Sequence, residues 1–378
     1  MPSVTRRRYL AGTGAVTLSG LAGCSGFFST SSGPRSGELN KLGISMYVRG
    51  GSWITAFKEA AEFYCKDQGI KVDIVPNQQS ANKQASDIRQ FANQGYDGIL
   101  ASIWSTGAIK SAIDSSEKQG VPVFTANADT ASSKAKMYVG FSNTAGGQKS
   151  GEQMIKSLKE QKGGKDKWRV LNVRGPQGNQ SANQRSQGFL DAVKKNDKIE
   201  VADTINAEFA QDEAKSKVSQ WLNSNGNVDG IYSANLSMGL GTKTAVEQVG
   251  KLKKKGEKGH IVLTQMDGSP QVNPLVKKGY IDAAVDQPNY FYMPIAIEYM
   301  RKYIENGDDA IPKVGKQVSK SDLSVKAHKH KGVDLWKKAI WSPASIKKQN
   351  GHPWFQTNSI VITQENADKP YLWGNIWG

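Results

Sequence analysis

Cysteine is nearly missing from this sequence, with two in 378 residues, Cys24 and Cys65. Two thiols cannot build a disulfide-stapled framework, and a chain of this length buries large cores without one. Long apolar runs are missing as well: no stretch of ~18 uninterrupted apolar residues occurs, so no membrane-spanning helix is expected. Histidine is scarce, with four residues. Without a CxxC or HExxH arrangement, His328, His330 and His352 do not make a metal site, and His260 begins a strand-like run. The chain has no G-x-x-x-x-G-K-[ST] loop and no G-x-S-x-G elbow. Gly239-Leu240-Gly241 opens a dinucleotide-like fingerprint, but Thr244 stands where the third glycine belongs, so helix packing is the expected role. Nothing asks for a catalytic residue, a metal or a cofactor.

Positive charge is abundant. Lys and Arg number 50 against 34 Asp and Glu, a formal charge of +16. Such a balance leaves nucleic acid, an anionic membrane surface or an acidic ligand open. The basic runs at 251–258 and 326–331 lack the interleaved aromatics of a nucleic-acid platform. Attraction to lipid headgroups stays open for them.

The N-terminus carries an address. Thr5-Arg6-Arg7-Arg8-Tyr9-Leu10 is followed by a mildly apolar stretch that ends in Leu21-Ala22-Gly23-Cys24. A cationic head, an apolar middle and small residues before a cut site make an export signal. The arginines resemble the twin-arginine motif, and the last four residues resemble a lipobox in which Cys24 takes lipid. Residues 25–40 are rich in Ser and Gly and read as a flexible tether. An exported chain is not a cytoplasmic DNA-binding regulator. Cys65 then has no partner in the mature chain, and its spacing from Phe57, Ala61 and Tyr64 marks a buried structural thiol.

From residue 41 the chain alternates. Apolar, strand-like runs fall at 42–48, 71–75, 98–102, 122–125, 137–140, 169–173, 230–233, 261–264 and 281–285, with segments of helical spacing between them. That alternation predicts parallel α/β sheets, and so many strands predict two lobes. A faint echo between 97–125 and 229–264 supports lobes of like topology.

In open α/β sheets, ligands bind beyond the carboxyl ends of the strands. At those ends stand Tyr47 and Trp53, Asn127 and Asp129, Arg185 after the Gly175–Gly178 turn, Asn235, Asp267, Asp286 and Gln287. Aromatics beside bidentate hydrogen-bonding groups suit a sugar, whose C–H faces stack on rings and whose hydroxyls both donate and accept.

The body resembles the ribose/galactose-type periplasmic sugar-binding proteins, the substrate receptors of ABC importers. The resemblance rests on an ordered set: Tyr47 to Trp53 leading into Phe57-Lys58-Glu59-Ala60-Ala61; Gly120-Val121-Pro122-Val123-Phe124-Thr125; Asn143-Thr144-Ala145-Gly146-Gly147; Arg185-Ser186-Gln187-Gly188-Phe189; Met266-Asp267-Gly268; and Asp286-Gln287-Pro288. It implies two α/β lobes joined by a hinge, the type I periplasmic binding protein fold. By the same resemblance Trp53 and Phe209 match aromatic platforms of the two lobes. Arg185, Asn235, Asp267 and Gln287 match polar contacts of the second lobe and its crossing, while Tyr47 and Asn127 match first-lobe positions. Ala128 stands where ribose receptors carry an arginine, with Asp129 next to it, so the sugar stays open. The implied division is a signal at 1–24, a tether at 25–40, a first lobe at 41–142 plus about 288–312, a second lobe at 143–287, an insertion at 313–356 and a closing strand and cap at 357–378. The implied partners are a monosaccharide or polyol and the permease subunits, for a monomer anchored at the outer face of the cytoplasmic membrane. A receptor for a nucleoside or a furanone, or a secreted α/β enzyme, are the remaining readings.

Overall fold

The computed structural model describes residues 37–47, 51–323, 325 and 328–378. Cys24, the export signal and most of the tether lie outside the described residues, as do Arg49 and Gly50. The first sheet opens with β1 (Lys41–Met46), α1 (Ser52–Gln68), β2 (Lys71–Pro76), α2 (Ala81–Asn93), β3 (Gly98–Ala101), α3 (Lys110–Lys118), β4 (Val123–Ala126) and β5 (Tyr138–Phe141). Strands such as β3 and β4 are buried at every residue, as expected where helices cover both faces of a parallel sheet. Ser80 caps α2 by accepting from the Lys83 N–H, and Gly69 in the left-handed conformation ends α1.

The chain then crosses into α4 (Asn143–Lys162), β6 (Trp168–Arg174), α5 (Gln180–Val193), β7 (Ile199–Asn206), α6 (Gln211–Asn225), β8 (Gly230–Ser233), α7 (Leu236–Gln248), β9 (Val262–Met266), α8 (Val272–Lys277) and β10 (Ala283–Asp286). It returns as α9 (Asn289–Asn306), which packs on α1 and on β3 to β5. A 3-10 turn at Gly307–Ala310 precedes β11 (Gln317–Val318), the small hairpin β12 (Lys329–His330) and β13 (Val333–Asp334), and the longer hairpin β14 (Ala344–Gln349) and β15 (His352–Thr357). β16 (Ile360–Ile362) and α10 (Trp373–Ile376) close the chain.

Two large sheets result. The first runs β11-β14-β15-β5-β4-β3-β1-β2, and the second β16-β10-β9-β8-β6-β7. Pairings within β1 to β5 and within β6 to β10 are parallel. β15 joins β5 in parallel, so the 313–356 stretch adds β11, β14 and β15 to the edge of the first sheet, while β12 and β13 pair only with each other. β16 pairs antiparallel with β10 in the second lobe. The lobes are therefore crossed at three places: between β5 and α4, between β10 and α9, and between β15 and β16. α10 adds a contact at the same level. The Trp373 indole donates to Asp286 Oδ1 at 2.8 Å, and the Trp377 indole donates to Glu59 Oε2 at 2.8 Å.

β7 is absent from the apolar runs read above, because most of its residues are partly or fully exposed at the sheet edge. Trp336 and Trp341 are buried, and Trp354 stacks near Tyr138. Gly239 and Gly241 serve packing: a Cβ there would lie 2.2 Å from Gln265 and from the Gln211 carbonyl. Cys65 is buried and unpaired, and burial pushes its thiol up to about 12.

Candidate functional site

The first-lobe wall begins where β1 ends. Tyr47 leaves the strand with its ring nearly parallel to that of Trp53, the centroids 6.5 Å apart. Trp53 sits in the first turn of α1 and leans on Phe57 at 5.2 Å. Asn127, just after β4, holds a left-handed φ of 68°, which turns its side chain back. Its amide nitrogen donates to the Tyr47 hydroxyl at 2.7 Å, and its carbonyl accepts from the Tyr138 hydroxyl at 3.1 Å.

The second-lobe wall is built from Arg185, Asp267 and Gln287. Close packing of α4 on α5 places Arg185. A Cβ on Gly147 would lie 2.1 Å from the Arg185 carbonyl, so glycine is required for that approach. Arg185 Nε then donates to Asn143 Oδ1 at 2.8 Å and Nη1 to the Ala234 carbonyl at 3.0 Å. Nη1 also stands 3.6 Å from Asp267 Oδ2. Asp267 is itself left-handed, with φ 70°, and its Oδ1 accepts from Gln287 Nε2 at 2.7 Å. Gln287 Oε1 accepts from the Tyr292 hydroxyl at 3.3 Å, which links the net to α9.

The two walls feel each other. Burial holds the Tyr47 phenol well above its ordinary value, with Arg185 pulling it back and Asp267 adding to the rise. Burial does the same for Tyr232, where Arg185 and Asp267 act again. These phenols stay neutral, able to donate and accept. Through Tyr47 the charges of the second lobe thus act on a buried hydroxyl of the first.

Three buried polar atoms in this region have no partner: Trp53 Nε1, Asn289 Oδ1 and the Tyr232 hydroxyl. An unpaired buried donor or acceptor costs about 1–3 kcal/mol, so such atoms mark where a ligand's polar groups would bond. Asn289 also donates from Nδ2 to the Trp53 carbonyl at 3.2 Å. Asn289 and Tyr232 are absent from the residues read from sequence. Asn289 opens a helix whose remaining first turns are apolar, and Tyr232 lies inside a strand among core residues. Trp104, 43% exposed and edge-on to Tyr47 at 6.2 Å, is a further aromatic on the first-lobe side.

Tyr47, Trp53, Asn127, Arg185, Asp267 and Gln287 are therefore brought together. Asn235 lies beside them, following Ala234, but its Oδ1 caps α7 by accepting from the Met238 N–H at 2.9 Å. Phe209 stands outside this network, with a left-handed φ of 57° and its ring laid on Gly175, where a Cβ would be 2.4 Å away. Asp129 departs from expectation. Its Oδ1 meets His352 Nε2 at 2.8 Å, and its Oδ2 accepts from Gln349 at 2.8 Å and Asn350 at 2.9 Å. Both oxygens meet the β14–β15 hairpin, so Asp129 anchors that hairpin to the first lobe. Asp286 is fully buried behind the site, and burial pushes its carboxyl up to about 7. A concavity of about 600 Å³ lies on the flank of the second lobe, lined by Thr144, Arg174, Asn183, Gln187 and Leu190. It contains none of the site residues. Among the described residues no group of three His, Cys, Asp or Glu is arranged to hold a metal.

Comparison with known proteins agrees with this architecture. The chain is 25% identical to the ribose import binding protein of Bacillus subtilis over 246 residues, 65% of this chain and 75% of that one. It is 27% identical to the xylitol-binding protein of Mycolicibacterium smegmatis over 243 residues, 64% of this chain and 66% of that one. The fold is similar to that of a galactofuranose binding protein, with a TM-score of 0.70 at 18% identity, covering 90% of this chain and 100% of that one. It is similar as well to an ABC transporter periplasmic solute binding protein from Actinobacillus succinogenes with bound D-allose, with a TM-score of 0.67 at 19% identity, covering 87% and 99%. The model of the periplasmic binding protein domain matches residues 42–309, and the chain belongs to that family.

Proposed function

We propose that this chain is the extracytoplasmic substrate-binding component of an ABC importer, which captures a monosaccharide or related polyol between its lobes and delivers it to a membrane permease. One observation carries the choice of ligand class. The Trp53 indole N–H and the Asn289 carbonyl oxygen are buried without partners, beside the polar net of Arg185, Asp267 and Gln287. An unpaired donor and an unpaired acceptor, an aromatic face and a fixed carboxylate answer a ring bearing several hydroxyls. The names of the relatives, which refer to ribose and xylitol, support the same class. We assign Phe209, laid on Gly175 outside the polar net, as the second-lobe aromatic, and Asn235 Nδ2, on the side chain whose Oδ1 caps α7, as a further donor.

The three crossings act as the hinge. A ligand favours closure only by its differential affinity for the closed form, and contacts made from both lobes at once provide that difference. A lipid on Cys24 keeps the monomer at the outer face of the membrane, following export by the twin-arginine signal.

The test is a thermal-shift panel of pentoses, hexoses, polyols and nucleosides on the purified protein. A saturating ligand at a hundred times its Kd adds about 2.7 kcal/mol to stability. At least one carbohydrate or polyol is expected to shift the midpoint by several degrees. A shift with a nucleoside alone would overturn the ligand class.

A further inference from the structure

Ten lysines, no arginine and two aspartates fall between residues 313 and 348. This stretch lies beyond the 42–309 that the family model matches. Nine of the lysines are described, and all nine are exposed. None forms an ion pair with an Asp or Glu side chain among the described residues, though Lys331 Nζ donates to the Gly378 oxygen at 3.0 Å.

Seven of them share one edge of the first lobe. β11 is the last strand of the sheet, with Lys313 and Lys316 before it and Lys320 after it. The Gly315 N–H donates to the Ile346 carbonyl at 2.8 Å and the Ile346 N–H to the Lys316 carbonyl at 2.8 Å, which sets Lys347 and Lys348 beside them. Lys320 Nζ reaches the Lys337 carbonyl at 3.1 Å, adding Lys337 and Lys338. Within this group Val314 is 54% exposed, one of two large apolar side chains exposed among the described residues. Of the nearby carboxylates, Asp322 is turned onto Ser319, and Asp308 and Asp309 stay on the preceding 3-10 turn.

A few lysines suffice to blunt a sheet edge against pairing. Seven, with an apolar side chain exposed among them, exceed that role. Lysine is a point charge on a flexible stem, suited to a diffuse anionic surface more than to bidentate recognition of one phosphate. Of the local tryptophans, Trp336 and Trp341 are buried, while half-buried Trp354 is stacked with Tyr138, donates to the Gly140 carbonyl and has Lys347 over its ring, so the edge offers no open stacking platform for nucleic acid bases. Cationic side chains around an exposed apolar one fit the headgroup layer of a bilayer.

We propose that this lysine edge docks on the anionic headgroups of a bilayer, with Val314 entering the interface. The test uses the full chain carrying Cys24→Ser, so that no lipid is attached. Cosedimentation is measured with phosphatidylcholine vesicles, with and without about 30% phosphatidylglycerol, at low and high NaCl. A variant combining Lys313→Gln, Lys316→Gln, Lys337→Gln and Lys348→Gln removes four exposed ammonium groups that form no hydrogen bond or ion pair among the described residues, Lys316 acting on Asp322 only through its charge. It is expected to bind anionic vesicles roughly several hundredfold more weakly, at about fivefold per lysine, with an unchanged unfolding midpoint. Val314→Ser keeps the charge and is expected to weaken binding severalfold. High salt is expected to release the parent, which gives the same answer without any substitution. Both chains share one N-terminus, so the difference between them reports the edge. Equal vesicle binding by parent and quadruple variant overturns the proposal. So does a parent that ignores vesicles yet binds soluble polyphosphate, or a variant whose only change is edge-to-edge association.

Discussion

Gln287 Nε2 donates to Asp267 Oδ1 at 2.7 Å, tying the second interlobe crossing to the end of β9. Arg185 approaches the other carboxylate oxygen at 3.6 Å. Asp267 is thus oriented by a helix and a crossing before a ligand arrives, which lowers the ordering cost of binding. Asp267→Asn keeps the shape and removes the charge. Hydrogen bonds to a charged group contribute about 1.5–3 kcal/mol, so a ten- to hundredfold rise in Kd is expected. Isothermal titration with the sugar that gives the largest thermal shift measures it, and an unchanged Kd removes Asp267 from the site.

Trp53 separates stacking from donation. Its indole N–H is buried without a partner, so Trp53→Phe removes an unsatisfied donor and keeps a ring. The ligand is expected to lose one hydrogen bond, about 1 kcal/mol or roughly fivefold in affinity. Trp53→Ala loses the face as well and is expected to abolish the thermal shift. Equal affinities for the parent and the Phe variant would mean that the indole donates to nothing in the complex.

Asp129 is expected to matter for stability and not for the ligand. Asp129→Ala leaves His352 Nε2, the Gln349 amide and the Asn350 amide without their shared acceptor. His352 is buried, whereas Gln349 is half-buried and Asn350 exposed, so the cost of one stripped buried group, about 1–3 kcal/mol, is expected from urea unfolding. The sugar Kd of the folded variant is expected to match the parent. A large rise in Kd at unchanged stability would return Asp129 to the site.

Much of this architecture is readable in the residues because buried parallel strands are short apolar runs. β3 (GILA), β4 (VFTA) and β8 (GIYS) are examples. β7 hides because an edge strand exposes polar residues along much of its length. β15 hides because its pairing is set by β5, some two hundred residues away. The same distance explains Asp129. A position just past a strand says that a side chain is near the cleft, while its direction is decided by His352, Gln349 and Asn350. Asp267 and Gln287 are placed by the strands they follow and meet at 2.7 Å. Asn289 carries no local signal, since one buried asparagine before Tyr290 and Phe291 looks like any helix start.

Asp286 predicts a pH dependence of stability. Its Oδ1 accepts from the Trp373 indole at 2.8 Å and the Gly268 N–H at 3.0 Å, while Oδ2 is buried without a partner. Burial, opposed by the Trp373 bond, pushes the carboxyl up to about 7. An aspartate in the unfolded chain ionises near pH ~4. Between about 4 and 7 the folded chain therefore holds a proton that the unfolded chain has released. Stability falls as pH rises through that window, is level below it, and is level again above it. Glu117, raised to about 7 mainly by burial, acts in the same direction. Urea midpoints are expected to fall between about pH 4 and pH 7, by an amount on the order of a few kcal/mol. Asp286→Asn mimics the protonated acid and is expected to flatten the curve by the share that Asp286 carries. Glu117→Gln flattens the remainder. A variant curve as steep as the parent's would show that the proton sits elsewhere.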